Sequence, residues 1–101
     1  MEPASGILKG NSIYKVPDGK LIKVSLELKE GKIAIIRITG DFFIHPEEWV
    51  ASLEDSLAGC PVERLEIAVR EKASEDKIQM VGIGAGDIVH AIKTAIANTE
   101  R

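Results

Sequence analysis

The segment KLIKVSLELKEGKIAIIRITG, residues 20–40, predicts the central part of the sheet, because it holds two strand-like stretches around one glycine. Apolar side chains alternate with polar ones from Ile22 to Leu28, which is the period of a half-buried strand. A second, largely apolar stretch runs from Lys32 to Thr39. The segment therefore predicts an antiparallel hairpin with one face turned toward a core.

The register of this hairpin determines which side chains point away from the core. A two-residue loop would place Arg37 on the same face as Val24 and bury its charge. A three-residue loop with Gly31 in the left-handed conformation pairs Leu28 with Lys32 and keeps Arg37 outside, so we expect this loop. In that register three apolar side chains of the second strand face three of the first: Ala34, Ile36 and Ile38 beside Leu26, Val24 and Ile22.

The opposite face of the hairpin is more apolar than plain solvent exposure would favour. In the expected register it carries Leu21, Ile33 and Ile35 among polar and charged side chains. A local basic cluster flanks the preceding Pro-Asp-Gly turn, formed by Lys15, Lys20 and Lys23. Such lysines are either simply solvated or face an anionic ligand or an acidic partner. This second face is therefore a candidate docking surface.

A strand-to-helix junction follows the hairpin in the run GDFFIHPEEW, residues 40–49. It begins with Gly40 and Asp41. In extended chain the consecutive Phe42 and Phe43 point to opposite sides, so one can fill the core while the other is available to a partner.

The same run shows the signals of a helix start. Pro46 is expected at the first helical position, and Ile44 is expected to pack on Trp49 as a hydrophobic staple. Glycine and proline at positions 59 and 61 end this helix.

The other segments give weaker signals. Residues 1–10 have no sustained period and predict a flexible N-terminal arm before a single domain over 11–101, which opens with a short strand over 12–16. Residues 62–72 fit both a strand and a helical stripe, so the period leaves that choice open. Residues 78–83 read as a short extended segment, and residues 87–97 as a final helix.

Composition limits the classes of function. A chain of 101 residues with 45% hydrophobic and 29% charged residues is one folded domain. Its formal net charge of -3 provides no basic field for nucleic acid. The longest apolar runs are too short to span a membrane, and the N-terminus lacks the pattern of a signal peptide. With a single cysteine and hence no internal disulfide, the cytoplasm is the expected location.

No cluster of residues predicts catalysis. The glycine run over 82–86 matches neither the dinucleotide fingerprint nor a Walker loop, which favours a flexible connection over a phosphate site. Cys60 follows a predicted helix end, where the dipole disfavours a thiolate. His45 and His90 have no second ligand at metal-binding spacing. We expect no catalytic residue and no metal ligand in this chain.

Four segments, taken in order and spacing, resemble the small C-terminal accessory domain of lipoate-protein ligases, and the likeness extends from about residue 10 to residue 97. They are YKVPDGKLIKV (14–24), LELKEGKI (26–33), GDFFIHPE (40–47) and LEDSLAGC (53–60). In most members of that family the domain is fused behind a large catalytic domain. The resemblance implies an α+β fold in which about three helices pack on one face of a small antiparallel sheet of about three strands. It also implies that residues 62–72 are helical.

The resemblance further implies an accessory subunit of a two-component ligase, acting in a heterodimer with a catalytic large subunit. ATP, Mg and lipoate would bind in that large subunit, form lipoyl-adenylate there, and the lipoyl group would pass to a lysine of a lipoyl acceptor domain. The accessory chain would be needed mainly for adenylation. The residues expected at the interface, with Lys20 near the adenylate, are Lys15, Lys20, Leu21, Lys23, Ile33, Ile35, Gly40, Asp41, Phe42 and Phe43.

Two other functions stay open at the level of sequence. A sulfur carrier or iron-sulfur assembly scaffold would use Cys60 as its acceptor thiol. A free-standing enzyme that binds an adenylate would use the glycine run and would bind ATP without a partner.

Overall fold

Three antiparallel strands, β1 (Ile7–Lys15), β2 (Leu21–Lys29) and β3 (Lys32–Gly40), form the main sheet in the order β1-β2-β3. The structure, a computed structural model, describes residues 6–17, 19–75 and 77–99. β1 begins at Ile7, so residues 7–10 belong to the sheet and not to a flexible arm. The part of that arm over residues 1–5 lies outside the described residues.

The β2–β3 hairpin has a two-residue turn, and the expected three-residue loop is wrong. Lys29 pairs with Lys32, and the two turn residues Glu30 and Gly31 both have positive φ, of 53° and 78°. Positive φ at both central positions is the geometry of a type I′ turn, whose twist matches that of the flanking strands. The left-handed conformation expected of Gly31 is present, but Glu30 shares it.

A β-bulge at Ala34 then corrects the alternation of the two faces. Leu28 pairs with Ile33 and Glu27 pairs with Ile35, so Ala34 has no partner in β2. One extra residue on one strand shifts every later side chain to the other face. Arg37 therefore stays outside although the turn has only two residues.

The bulge also moves one predicted surface residue into the core. Ile33 precedes the bulge, lies on the inner face opposite Leu28, and is fully buried. Its expected place on the outer face is wrong, because the shorter turn reverses its direction. Ile36 and Ile38 lie inside as expected, but they pair with Leu26 and Val24, one pair further along than the three-residue loop would give.

The rest of the chain forms a two-stranded ribbon and a helical layer. The ribbon joins β4 (Phe43–His45) to β5 (Gln79–Val81) in antiparallel pairing. The helices are α1 (Trp49–Leu57), α2 (Leu65–Glu75), which follows a 3-10 turn over Val62–Arg64, and α3 (Ala85–Ala97). None of the helices in the described chain has the length and apolar composition needed to cross a bilayer.

The helices lie where they were expected, but two of them start elsewhere: α3 begins at Ala85, two residues before the predicted start. α1 begins at Trp49, three residues after Pro46, with Glu48 at its N-cap, so the predicted start at Pro46 is wrong. Ile44 and Trp49 are both buried. Residues 62–72 are helical, as the family resemblance implies. The α+β class with three helices and a three-stranded sheet is confirmed.

α3 is the helix that packs against β1. It packs against β1 and β2, while α1 packs against β3. The hydroxyl of Ser12 is buried and donates to the carbonyl oxygen of Ala91 at 2.7 Å. Gly10 lies so close to the α3 backbone that an added Cβ would collide with the carbonyl oxygen of Ala95 and reach 2.8 Å from Cγ2 of Thr99.

We predict that Gly10→Ala lowers the free energy of unfolding by about 1 to 3 kcal/mol, because the new methyl group must push α3 away from β1. Gly86→Ala is the matched control, since a Cβ there meets only Arg70 Nη2 at 3.6 Å and the residue lies within α3. That change should raise the free energy by up to about 1 kcal/mol. Urea unfolding of both variants measures the difference, and equal stability of the two would contradict the close packing.

We also predict that Glu30→Asn stabilises the protein by about 0.5 to 1 kcal/mol, because asparagine tolerates positive φ and favours type I′ turns. Glu47→Asn removes the same charge at a residue without positive φ and should give no such gain. Thermal unfolding compares the two. An equal gain in both variants would mean that lost charge, and not backbone strain, limits stability at Glu30.

Candidate functional site

The outer face of the main sheet is the broadest candidate surface. α3 packs on β1 and β2, α1 packs on β3, and α2 packs on those two helices. The outward side chains of the three strands are exposed or half-buried, and no element within the described residues covers this face. We call it the open face; its outward side chains lie in cross-strand rows. One row joins Ile13, Lys23 and Thr39, and the neighbouring row joins Asn11, Ser25 and Arg37. Two of its isoleucines are strongly exposed: Ile13 at 69% and Ile35 at 54%.

A hollow of about 290 Å³ lies near the middle of the open face. Three small polar side chains are among those that line it: Asn11, Ser25 and Thr39, which occupy neighbouring positions on the three strands. The longer side chains of Lys23 and Arg37 also line it. The hollow is a shallow depression whose accessible surface is mostly apolar, with two cationic side chains among those that line it.

The structure brings four of the expected interface residues together on the open face. Lys15 pairs with Leu21, one row from Lys23. Ile35 lies on the same face of β3, opposite Glu27. Ile33 is absent from the surface because it is buried in the core.

Asp41 follows β3 and forms two hydrogen bonds with the backbone of Leu21, the first residue of β2. Its Oδ1 accepts a hydrogen bond from the backbone N–H of Leu21 at 2.6 Å, and its own N–H donates to the Leu21 carbonyl oxygen at 3.3 Å. Gly40 passes so close to that carbonyl that any Cβ would collide with it. Glycine followed by aspartate at 40–41 is thus explained by the geometry of the strand end.

The two consecutive phenylalanines are divided between core and surface, as expected. Phe42 is half-buried and packs on the core, and its ring lies 2.8 Å from where a Cβ of Gly40 would be. Phe43 is 51% exposed on the ribbon and pairs across it with Val81, which is 48% exposed. Together Phe43 and Val81 form a small second apolar patch, which we call the ribbon patch.

Lys20 belongs to the ribbon and not to the open face. It is half-buried, and its aliphatic stem crosses over Gly82, where an added Cβ would be 2.5 Å from Cγ of the lysine. Gly82 has a φ of 87° and follows directly after Val81. The Lys20 side chain therefore extends beside the ribbon patch, with its stem packed and its charge carried toward solvent.

Chemically reactive groups are poorly placed for catalysis. The Cys60 thiol is half-buried and donates to the Pro61 carbonyl oxygen at 3.3 Å, and burial raises the pKa of this thiol. The ring of His90 packs on Tyr14 with centroids 4.4 Å apart. No group of three His, Cys, Asp or Glu side chains within the described ranges could hold a metal ion.

The glycine run offers little to a phosphate. Gly84 caps α3, and its N–H already donates to Oδ2 of Asp87 at 2.8 Å. A carboxylate at the N-terminus of a helix takes the place that an anionic ligand would occupy, and its charge repels one.

Three surface residues were missed as site candidates from the sequence. Ile13 and Arg37 border the hollow, and Val81 completes the ribbon patch. Alternation of Lys9, Asn11 and Ile13 along β1 is the signal that could have identified Ile13. Val81 gave no signal, because its exposure depends on a pairing between segments far apart in sequence.

Comparison with known proteins identifies the family of this chain. Residues 14–92 match the family model described as bacterial lipoate protein ligase C-terminus. The chain is 34% identical over 73 residues to lipoate-protein ligase A subunit 2 of Thermoplasma acidophilum, and the match covers 72% of this chain and 77% of that protein.

A solved structure shares the fold. It comes from a structural study of an archaeal lipoylation system, a bi-partite lipoate protein ligase and its E2 lipoyl domain from Thermoplasma acidophilum. The superposition has a TM-score of 0.79 with 29% sequence identity, and it covers 85% of this chain and 96% of the other. The chain therefore belongs to the family of lipoate protein ligase C-terminal domains.

Proposed function

We propose that this chain is the accessory subunit of a bipartite lipoate-protein ligase. The observation that carries the proposal is the structural match, because it covers 96% of a chain in the solved bipartite system. A similar sequence relationship to a protein named as subunit 2 of such a ligase supports it. The chain works in the cytoplasm in a heterodimer with a catalytic large subunit.

The accessory subunit acts by docking and not by chemistry. ATP, Mg and lipoate bind in the catalytic subunit, where lipoate is converted to lipoyl-adenylate before transfer to lipoyl domains. Docking stabilises the closed, activation-competent arrangement of the catalytic subunit, since a partner shifts an equilibrium toward the state that it binds better. The unreactive surroundings of Cys60 are consistent with such a role.

The docking residues are the accessible members of the expected set. On the open face these are Lys15, Leu21, Lys23 and Ile35, and on the ribbon Lys20 and Phe43. Lys20 approaches the edge of the adenylate site, with its stem held over Gly82. Gly40, Asp41 and Phe42 shape the junction between these two surfaces.

The primary test is ATP-pyrophosphate exchange in the presence of lipoate. The ligase-like large subunit from the same genome, this chain, and their mixture are compared. We expect exchange only in the mixture, because neither component alone reaches the activation-competent arrangement. Exchange by the large subunit alone, with no increase on mixing, would contradict the accessory role.

A single substitution on the open face tests the docking surface. Ile35→Asp should weaken binding to the large subunit at least tenfold, about 1.4 kcal/mol, because it puts a charge at an apolar contact. Ile67→Asp is the matched control, since Ile67 is 50% exposed on α2 in the helical layer. Calorimetric titration measures both. Unchanged affinity of Ile35→Asp would exclude the open face from the interface.

The sulfur-carrier alternative predicts a reactive thiol at Cys60. We expect slow alkylation by iodoacetamide at neutral pH, because a raised thiol pKa lowers the thiolate fraction there. The rate should increase only at a pH above that at which a free cysteine thiol reacts. We also expect Cys60→Ser to activate exchange as the unmodified chain does. Rapid alkylation together with an inactive serine variant would favour the alternative.

A further inference from the structure

The open face concentrates positive charge. β1, β2 and β3 contain six basic residues and one acidic residue, Glu27, and all seven occupy outward positions. The basic residues are Lys9, Lys15, Lys23, Lys29, Lys32 and Arg37. All six are exposed, and none forms an ion pair with a described side chain.

This charge is opposite in sign to that of the molecule. Six positive charges against one negative charge give the open face a formal +5, so the rest of the chain carries -8 within the net charge of -3. A segregated field of this kind orients a protein as it approaches a partner of opposite charge.

The arrangement of these cations costs stability in the free chain. Lys29 lies directly across from Lys32. Lys15, Lys23 and Arg37 follow a diagonal across the three strands, because Lys15 pairs with Leu21 and Lys23 pairs with Thr39. Like charges opposite or diagonal to one another on a sheet repel. An acidic surface placed on this face would remove that repulsion.

The shape of the face indicates what kind of acidic surface fits. The hollow of about 290 Å³ can hold one side chain; its accessible surface is mostly apolar, which suits an aliphatic stem, and Lys23 and Arg37 are among the residues that line it. A carboxylate entering it would meet both cations, while Ile13 and Ile35 offer apolar contact beside it. No aromatic side chain is outward on β1, β2 or β3, so the face lacks the stacking groups that single-stranded nucleic acids use.

We propose that the open face docks on an acidic surface of the catalytic subunit, with one carboxylate seated between Lys23 and Arg37 and with association steered by charge. This inference rests on the proposed accessory function and adds the chemistry of the partner. Arg37 is then a central contact, although it lies outside the interface expected from the sequence.

Charge reversal at two positions tests the inference. The variant Lys23→Glu with Arg37→Glu is compared with a matched control, Lys77→Glu with Arg64→Glu, which makes the same change outside the main sheet. Association with the full-length catalytic subunit is measured by stopped-flow at about 0.02 M and about 0.5 M salt, because the Debye length differs several-fold between these two salt concentrations.

We expect the open-face variant to associate at least tenfold more slowly at low salt, and the control to associate at least as fast as the unmodified chain. At high salt the rates should converge. Lys23→Gln with Arg37→Gln should give an intermediate loss. Circular dichroism and thermal unfolding establish whether each variant is folded. If the variant with two glutamates does not fold, the variant with two glutamines provides the decisive comparison.

Three results would overturn the inference: equal loss in both reversed variants, no salt dependence, or intact assembly combined with a higher half-saturating concentration of lipoyl acceptor domain. The last result would assign the open face to the acceptor. Pyrophosphate exchange with the unmodified chain is measured in the same mixtures. Failure of the unmodified chain to bind or activate would instead refute the proposed function, so the two failures are distinguishable.

Discussion

The extra residue at Ala34 is the constraint on which both faces of the sheet depend. The two-residue turn at Glu30 and Gly31 alone would direct Arg37 into the core. The bulge restores the alternation after Ile33, so that Ile36 and Ile38 meet the helices while Ile35 and Arg37 meet solvent. Without it, burial of an arginine would oppose the helix packing that stabilises the domain.

The two faces of the sheet have different surroundings. The helical layer packs on one side of the sheet and leaves the open face without a cover within the described residues. Asp41 then ties the strand end to the ribbon junction, which fixes Phe42 in the core and Phe43 outside. A sheet that presents charges at fixed positions suits the proposed docking role, because a flexible surface would lose entropy on docking.

Sequence patterns predicted those elements whose signals are local. Alternation identified β2, and the spacing of apolar residues identified α1 and α3. The division between Phe42 and Phe43 followed from the extended geometry of a strand. The helix over residues 62–72 required the family resemblance, because its period fits a strand equally well.

The remaining features depend on contacts that no local pattern reports. In a regular hairpin a two-residue turn would bury Arg37. A bulge changes which face each later side chain takes, and no pattern of composition indicates it. Ile33 was misplaced for that reason. Ile13 and Val81 became surface contacts only through pairing with distant strands, and the accumulation of cations on one face appears only when three strands are aligned.

The contacts between β1 and α3 also constrain how fast the domain can fold. Ser12 and Gly10 meet Ala91 and Ala95, and Asn98 donates to the carbonyl oxygen of Asn11. β1 pairs with β2 soon after it in the sequence, but the helix that covers its inner face comes 79 residues later at the contact of Ser12 with Ala91. A contact of such large sequence separation slows folding, because the chain entropy of closing the loop is lost before the packing of β1 on α3 is gained.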